Sequence, residues 1–132
     1  MHFFGSSCIF CVPDIQRTAA YYQDVLGFSA VEYLQSAEPH VCLHHDGVEI
    51  ILLQADTAST DRVVPNRELY GCGYDAYPYV DAQEVLEAEL ASRGAHVVRP
   101  LATTDYRNRE FAVEDIDGRW LAFGLKEPMC TP

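Results

Sequence analysis

An α+β fold made of two β-α-β-β-β modules is what the sequence predicts, and three observations carry the prediction. Asp14 to Gly27 and Asp81 to Gly94 both span thirteen positions, each with apolar residues at helical spacing between an Asp suited to an N-cap and a Gly suited to a left-handed C-cap. A short apolar, strand-like run precedes each helix. Strand-like runs follow each helix and end in an Asp-Gly hairpin turn, Asp46-Gly47 in the first copy and Asp117-Gly118 in the second.

The elements follow in order. SSCIFCV reads as a buried first strand, and the next helix presents Ile15, Ala19, Tyr22 and Leu26 on one face. FSAVEYL and HVCLHH are the next two strands, and VEIILLQ, after Asp46-Gly47, is the fourth. Residues 55–70, with ADTAST and Pro65, read as a linker. The second copy repeats the order with YDAYPYV, a helix presenting Ala82, Leu86 and Leu90, then AHVV, REFAVE and RWLAFGL. The expected organisation is a single domain over 1–132, with modules at 6–54 and 71–126.

Composition bounds the function. The chain has 132 residues and 14.8 kDa, 48% of them apolar and 22% charged, which suits one packed domain and excludes disorder. Net charge is −11 with a sequence pI of about 4.6, so a nucleic-acid partner is not expected, because phosphates need a basic face to displace their counterions. No apolar run exceeds the five residues Cys8 to Val12, against the ~20 that span a bilayer. With no signal-peptide pattern either, a cytoplasmic protein with no membrane partner is expected. The five cysteines are expected to be reduced. Cys8 and Cys11 form a CxxC, but residues three apart on a strand point to opposite faces.

With "PDIQRTAAYYQDVLGF" as first helix and "REFAVEDIDGRWLAFG" as last hairpin, the chain resembles the glyoxalase/bleomycin-resistance/extradiol-dioxygenase family, the vicinal oxygen chelate superfamily. The resemblance covers nearly the whole chain. It implies an open, cup-shaped mixed sheet from each module, one ligand site formed by two modules, and a homodimer. Enzymes of this family chelate a divalent metal with His or Glu side chains at four equivalent positions. By local register these are Ser7 and Asp75, five residues before the first strands' terminal Val, and Ile51 and Ala122, four residues after the turn Gly. A metal of this class needs about three imidazole or carboxylate donors, and this set offers one. No metal or other cofactor is therefore expected. The alternative is a glyoxalase-like lyase or dioxygenase holding a divalent metal through displaced ligands from Asp75, Glu49 and Glu110. Glu49 is placed on the opposite face of its strand unless a bulge intervenes. His44 and His45 face opposite sides, and His40 lies ~13 Å from His44, so the three do not chelate one ion.

Alternation along the first and last strands predicts what else lines the cup: Ile9 and Cys11 with Ser7, Tyr77 and Tyr79 with Asp75, Leu53 with Ile51, and Trp120 and Gly124 with Ala122. The expected ligand-binding set is Asp75, Tyr77, Tyr79, Trp120, Ser7, Ile51 and Ala122. No catalytic residue is identified. An aromatic lining around one carboxylate suits a small hydrophobic ligand with positive charge, since aromatic faces attract cations by ~0.5 to 2 kcal/mol. The family's metal-free bleomycin-resistance members sequester a cationic antibiotic, and this chain resembles them most in character. Tyr106-Arg107-Asn108-Arg109 leads into the REFAVE strand and could rim the cup.

Overall fold

A computed structural model describes residues 1–127 and divides the chain between Val64 and Pro65 into two compact units. Cys130 lies outside the described residues, and Cys8, Cys11, Cys42 and Cys72 are free thiols.

In the first unit, β1 (Cys8–Val12), β2 (Ser29–Tyr33), β3 (His40–His45) and β4 (Val48–Gln54) form one sheet in the order β1-β4-β3-β2, with β1 parallel to β4 and the rest antiparallel. Helix α1 (Ile15–Asp24) starts as expected: the Asp14 carboxylate accepts the Arg17 amide at 3.1 Å. Ile15, Thr18, Ala19 and Tyr22 are buried at i, i+3, i+4 and i+7, beside Phe10, Val12, Val41, Leu43, Ile50 and Leu52 of the strands. Gly27 takes φ 79°, and the Phe28 amide returns to the Tyr22 carbonyl at 2.9 Å, closing the helix as the Gly requires.

The second unit repeats the plan with deviations. Here β5 (His96–Thr103), β6 (Asn108–Glu114) and β7 (Trp120–Lys126) form an antiparallel sheet in the order β5-β6-β7. The expected strand YDAYPYV is not continuous. It touches β7 at two isolated parallel bridges, Ala76 with Leu121 and Tyr79 with Gly124, because Pro78 has no N–H to donate. The expected strand AHVV runs on through Arg99-Pro100 to Thr103 by shifting register twice against β6, which an edge strand tolerates. Helix α3 (Gln83–Ser92) is not capped by Asp81: Ala82 occupies the cap in a left-handed conformation, φ 44°, with no side-chain bond. The buried Gln83 amide anchors that end instead, donating to the Arg109 carbonyl at 2.7 Å and the Phe123 carbonyl at 3.0 Å.

The expected linker holds structure in its second half. Helix α2 (Asn66–Tyr70) belongs to the second unit, and the Asn66 amide donates to Asp75 Oδ1 at 3.0 Å. Among the described residues no helix is long and apolar enough to cross a membrane.

Candidate functional site

Alternation sorts each sheet into two faces. In the second unit Phe111 and Val113 of β6, with Leu121 and Phe123 of β7, are buried on one face, and Leu90 of α3 is buried with them. The other face carries Glu110 and Ala112 from β6 and Trp120, Ala122 and Gly124 from β7, paired Glu110 to Gly124 and Ala112 to Ala122. Ala112, Ala122 and Gly124 leave room above the strands, and aromatic residues from 74–79 fill it. A Cβ at Gly124 would overlap the hydroxyl end of the Tyr77 ring, so the missing side chain is what lets that ring lie on β7.

The centre of this face is Glu110, buried at 6% exposure. Three phenols converge on it. Tyr106 donates to Oε1 at 2.6 Å and Tyr74 to the same oxygen at 3.1 Å, while Tyr77 donates to Oε2. The Asn108 amide donates to the Tyr77 oxygen at 3.0 Å, and Arg99 donates to the Tyr74 oxygen at 2.7 Å. Tyr79 packs edge-on against Tyr77, centroids 5.5 Å apart. A carboxylate buried beside apolar groups needs donors of this kind, and here it has three.

The same contacts hold the phenols neutral. Burial, and then the bond to Glu110, raise the Tyr77 pKa far above the ordinary ~10. The bond to Glu110 first, and then burial, push Tyr106 up to about 12. Burial raises Tyr74, although its bond from Arg99 opposes the shift. Because the folded-state values are raised, the stabilisation is complete below the ordinary phenol pKa and is lost as pH climbs through and beyond it. A spectrophotometric titration of the eight tyrosines is expected to show Tyr74, Tyr77 and Tyr106 ionising above the ordinary phenol range, together with alkaline unfolding. Eight tyrosines titrating as one class near pH ~10 would contradict the arrangement.

Asp75, the carboxylate expected at the site, is otherwise engaged. Its Oδ1 accepts the Asn66 amide at 3.0 Å and its Oδ2 the Trp120 amide at 3.1 Å, so it ties α2 and β7 to the segment between them. Trp120 lies against two guanidiniums: Arg67 Cζ is 3.9 Å and Arg99 Cζ 5.3 Å from a ring centroid. Of the two arginines expected at the rim, Arg109 pairs with Glu84 and Arg107 has a left-handed backbone, φ 68°.

In the first unit the corresponding face carries Ser7, Ile9 and Cys11, then Glu49, Ile51 and Leu53, then His40, Cys42 and His44. The placement of Glu49 is corrected here. It lies two residues from Ile51, so alternation puts both on one face and no bulge is needed. Ser7 donates to Glu49 Oε1, and His44 Nε2 is 2.7 Å from Oε2; these two bonds, that of Ser7 first, lower the Glu49 pKa. His45 faces the other way, against the Phe28 ring at 5.4 Å, as alternation requires.

A profile of the Glyoxalase/Bleomycin resistance protein/Dioxygenase superfamily matches residues 5–123. The chain belongs to that superfamily. Solved structures agree on the glyoxalase/bleomycin-resistance fold. UcmS2 superposes with a TM-score of 0.72 at 20% identity, covering 94% of this chain and 98% of its own. TnmS3, described as an antibiotic binding protein from Streptomyces sp. CB03234, gives 0.69 at 18%, covering 96% and 100%. A glyoxalase-related enzyme from Clostridium phytofermentans gives 0.72 at 13%, covering 96% and 98%. No curated protein sequence matches the chain significantly.

For a superfamily member the donor set is the test of metal binding. Of the four chelating positions, Ser7 donates to Glu49, Ile51 and Ala122 offer no donor, and both Asp75 oxygens accept backbone amides. Among the described residues no group of three or more His, Cys, Asp or Glu could hold an ion. The residues present do not fit the superfamily's metal.

Register places Tyr77, Tyr79, Trp120 and Ala122 with Asp75 in the second unit, and Ser7 with Ile51 in the first, as alternation anticipates. Sequence alone offers Glu110 only as an alternative and Tyr106 only as a residue of the rim, and it gives no role to Tyr74, Arg67 or Arg99. Arg67 was hidden in the linker. Tyr74 opens the run YDAYPYV, where strict alternation sets it on the face opposite Asp75 and Tyr77.

Proposed function

We propose that this protein binds and sequesters a small hydrophobic ligand of the antibiotic type, without a metal, on the aromatic face of the second unit. The observation that carries the reading is one aromatic face over the small residues Ala112, Ala122 and Gly124: Tyr74 and Tyr77 bond to the buried carboxylate of Glu110, Tyr79 packs on Tyr77, and Trp120 stands on the same face of β7. Rigid aromatic rings offer large contact area at little entropic cost, and the polar atoms at their centre fix orientation. The description of TnmS3 as antibiotic binding supports the same class of ligand. A positively charged ligand, expected from the sequence, has no free anchor at Asp75, whose two oxygens accept backbone amides. The proposal includes a homodimer of about 30 kDa in the cytoplasm, the exposed Ile9, Val31 and Tyr33 supporting the dimer.

A thermal-shift screen of hydrophobic antibiotics, bleomycin-type drugs included, tests it. A binder at 100 times its Kd adds about 2.7 kcal/mol and so several degrees to Tm, with or without EDTA. Elemental analysis is expected to find far less than one equivalent of metal. A shift that EDTA abolishes, or one equivalent of zinc, nickel, iron or manganese, would overturn the metal-independent reading.

A further inference from the structure

The chain carries only nine Lys and Arg residues against 20 Asp and Glu, so each cation has carboxylates to choose from. Among the described residues, Arg67 and Arg99 pair with none. Arg67 Cζ stacks 3.9 Å from a Trp120 ring centroid, and its Nη2 reaches only the Gly73 carbonyl at 3.3 Å. Its Nε is buried with no acceptor. Arg99 lies over the same indole at 5.3 Å and over Tyr74 at 5.4 Å, and its one hydrogen bond goes to the neutral Tyr74 hydroxyl.

The carboxylates of this face are all committed elsewhere. Asp75 accepts two amides, Glu110 accepts three phenols, and Glu114 accepts the Trp120 indole N–H at 3.3 Å and contacts His96 at 3.2 Å. Two like charges held at one ring without a counter-ion repel each other, and an unmatched buried N–H adds a further cost. An anion arriving between them would relieve both. A guanidinium fork matches the two oxygens of a carboxylate, and the indole and phenol rings beside it match a flat ring.

We propose that Arg67 and Arg99 form the anion-recognising end of this site, which takes a planar aromatic acid: its ring joins the Trp120 and Tyr74 side chains, and its acid oxygens accept from the two guanidiniums. This rests on the aromatic face being the ligand site and names the charge of the ligand. It runs against the overall charge of −11, which repels anions, so a preference for an acid can come only from local groups.

The experiment compares 2-naphthoate with 2-naphthylmethylammonium and neutral naphthalene, one ring system with three charges, on the full chain. Calorimetry measures affinity, and the fluorescence of the single tryptophan, Trp120, reports placement. The expected result is that naphthoate binds more tightly than the ammonium and quenches Trp120. Arg67→Gln and Arg99→Gln are each expected to cost naphthoate at least about tenfold while leaving naphthalene unchanged. Arg99 is exposed, so its substitution spares the fold; Arg67→Lys, which keeps the charge but not the fork, is expected to recover part of the loss. If the ammonium binds as tightly as naphthoate, or both glutamine variants keep full naphthoate affinity, the anion site is wrong while the aromatic site stands. If none of the three binds, the aromatic site itself is wrong.

Discussion

Replacing Glu110 with leucine is expected to lower the free energy of unfolding by about 2 to 4 kcal/mol, although leucine fills a similar volume and strands accept it. The loss comes from the phenols. Tyr74 and Tyr77 are half-buried and would lose the acceptor for their hydroxyls, at roughly 1 to 3 kcal/mol for each orphaned group. Tyr106 is 57% exposed, turns to water and contributes little. Glu110→Gln keeps one oxygen acceptor and removes the charge, so its expected cost is about 1 kcal/mol. Urea denaturation reads both. A leucine variant within about 0.5 kcal/mol of the parent would mean the three bonds contribute nothing net, and the carboxylate would then be no organising centre.

Gly124→Ala is expected to cost about 2 to 3 kcal/mol, against the general rule that alanine is better than glycine in a strand by roughly 0.5 to 1 kcal/mol. The backbone of Gly124 needs no left-handed φ, so the cost is entirely the space that the Tyr77 ring takes. An added methyl expels that ring, and with it go the bond to Glu110 and the one from Asn108. The double-mutant cycle isolates the effect: in a Tyr77→Ala background the same substitution is expected to be neutral or stabilising. Equal costs in both backgrounds would place the strain elsewhere in β7.

Most of the fold was legible because the chain states it twice. Asp14 and Gly27 do at α1 what their chemistry predicts, and β3 and β4 begin and end where the alternating runs HVCLHH and VEIILLQ do. The register argument also held across copies: Cys11 pairs with Leu53 in the first unit, and Tyr79 bridges to Gly124 at the equivalent place in the second. The second copy read less well where local rules yielded to tertiary contacts. Asp81 has the chemistry of a cap, but Gln83 secures that helix end through two strand carbonyls, a bond between elements that no local pattern announces.

The site was half legible for the same reason. Alternation located Tyr77, Tyr79, Trp120 and Ala122 on one face. It could not say that Asp75 would spend its oxygens on backbone amides, because that depends on Asn66 in a stretch read as linker. Nor could it bring Tyr106, from the turn before β6, back onto Glu110 four residues later. The Glu49 error was one of counting parity along a strand, and the pairing of His44 with Glu49 displays it plainly.

On the proposed function, the ligand lies on the aromatic face of the second unit. Amide and indole chemical shifts of the ¹⁵N-labelled protein, followed while a naphthalene ligand or a screened antibiotic is added, test it most directly. The largest changes are expected at the Trp120 indole N–H and at the amides of Glu110, Ala122 and Gly124, saturating together with the calorimetric Kd. Saturable binding that leaves those four signals unmoved would contradict it.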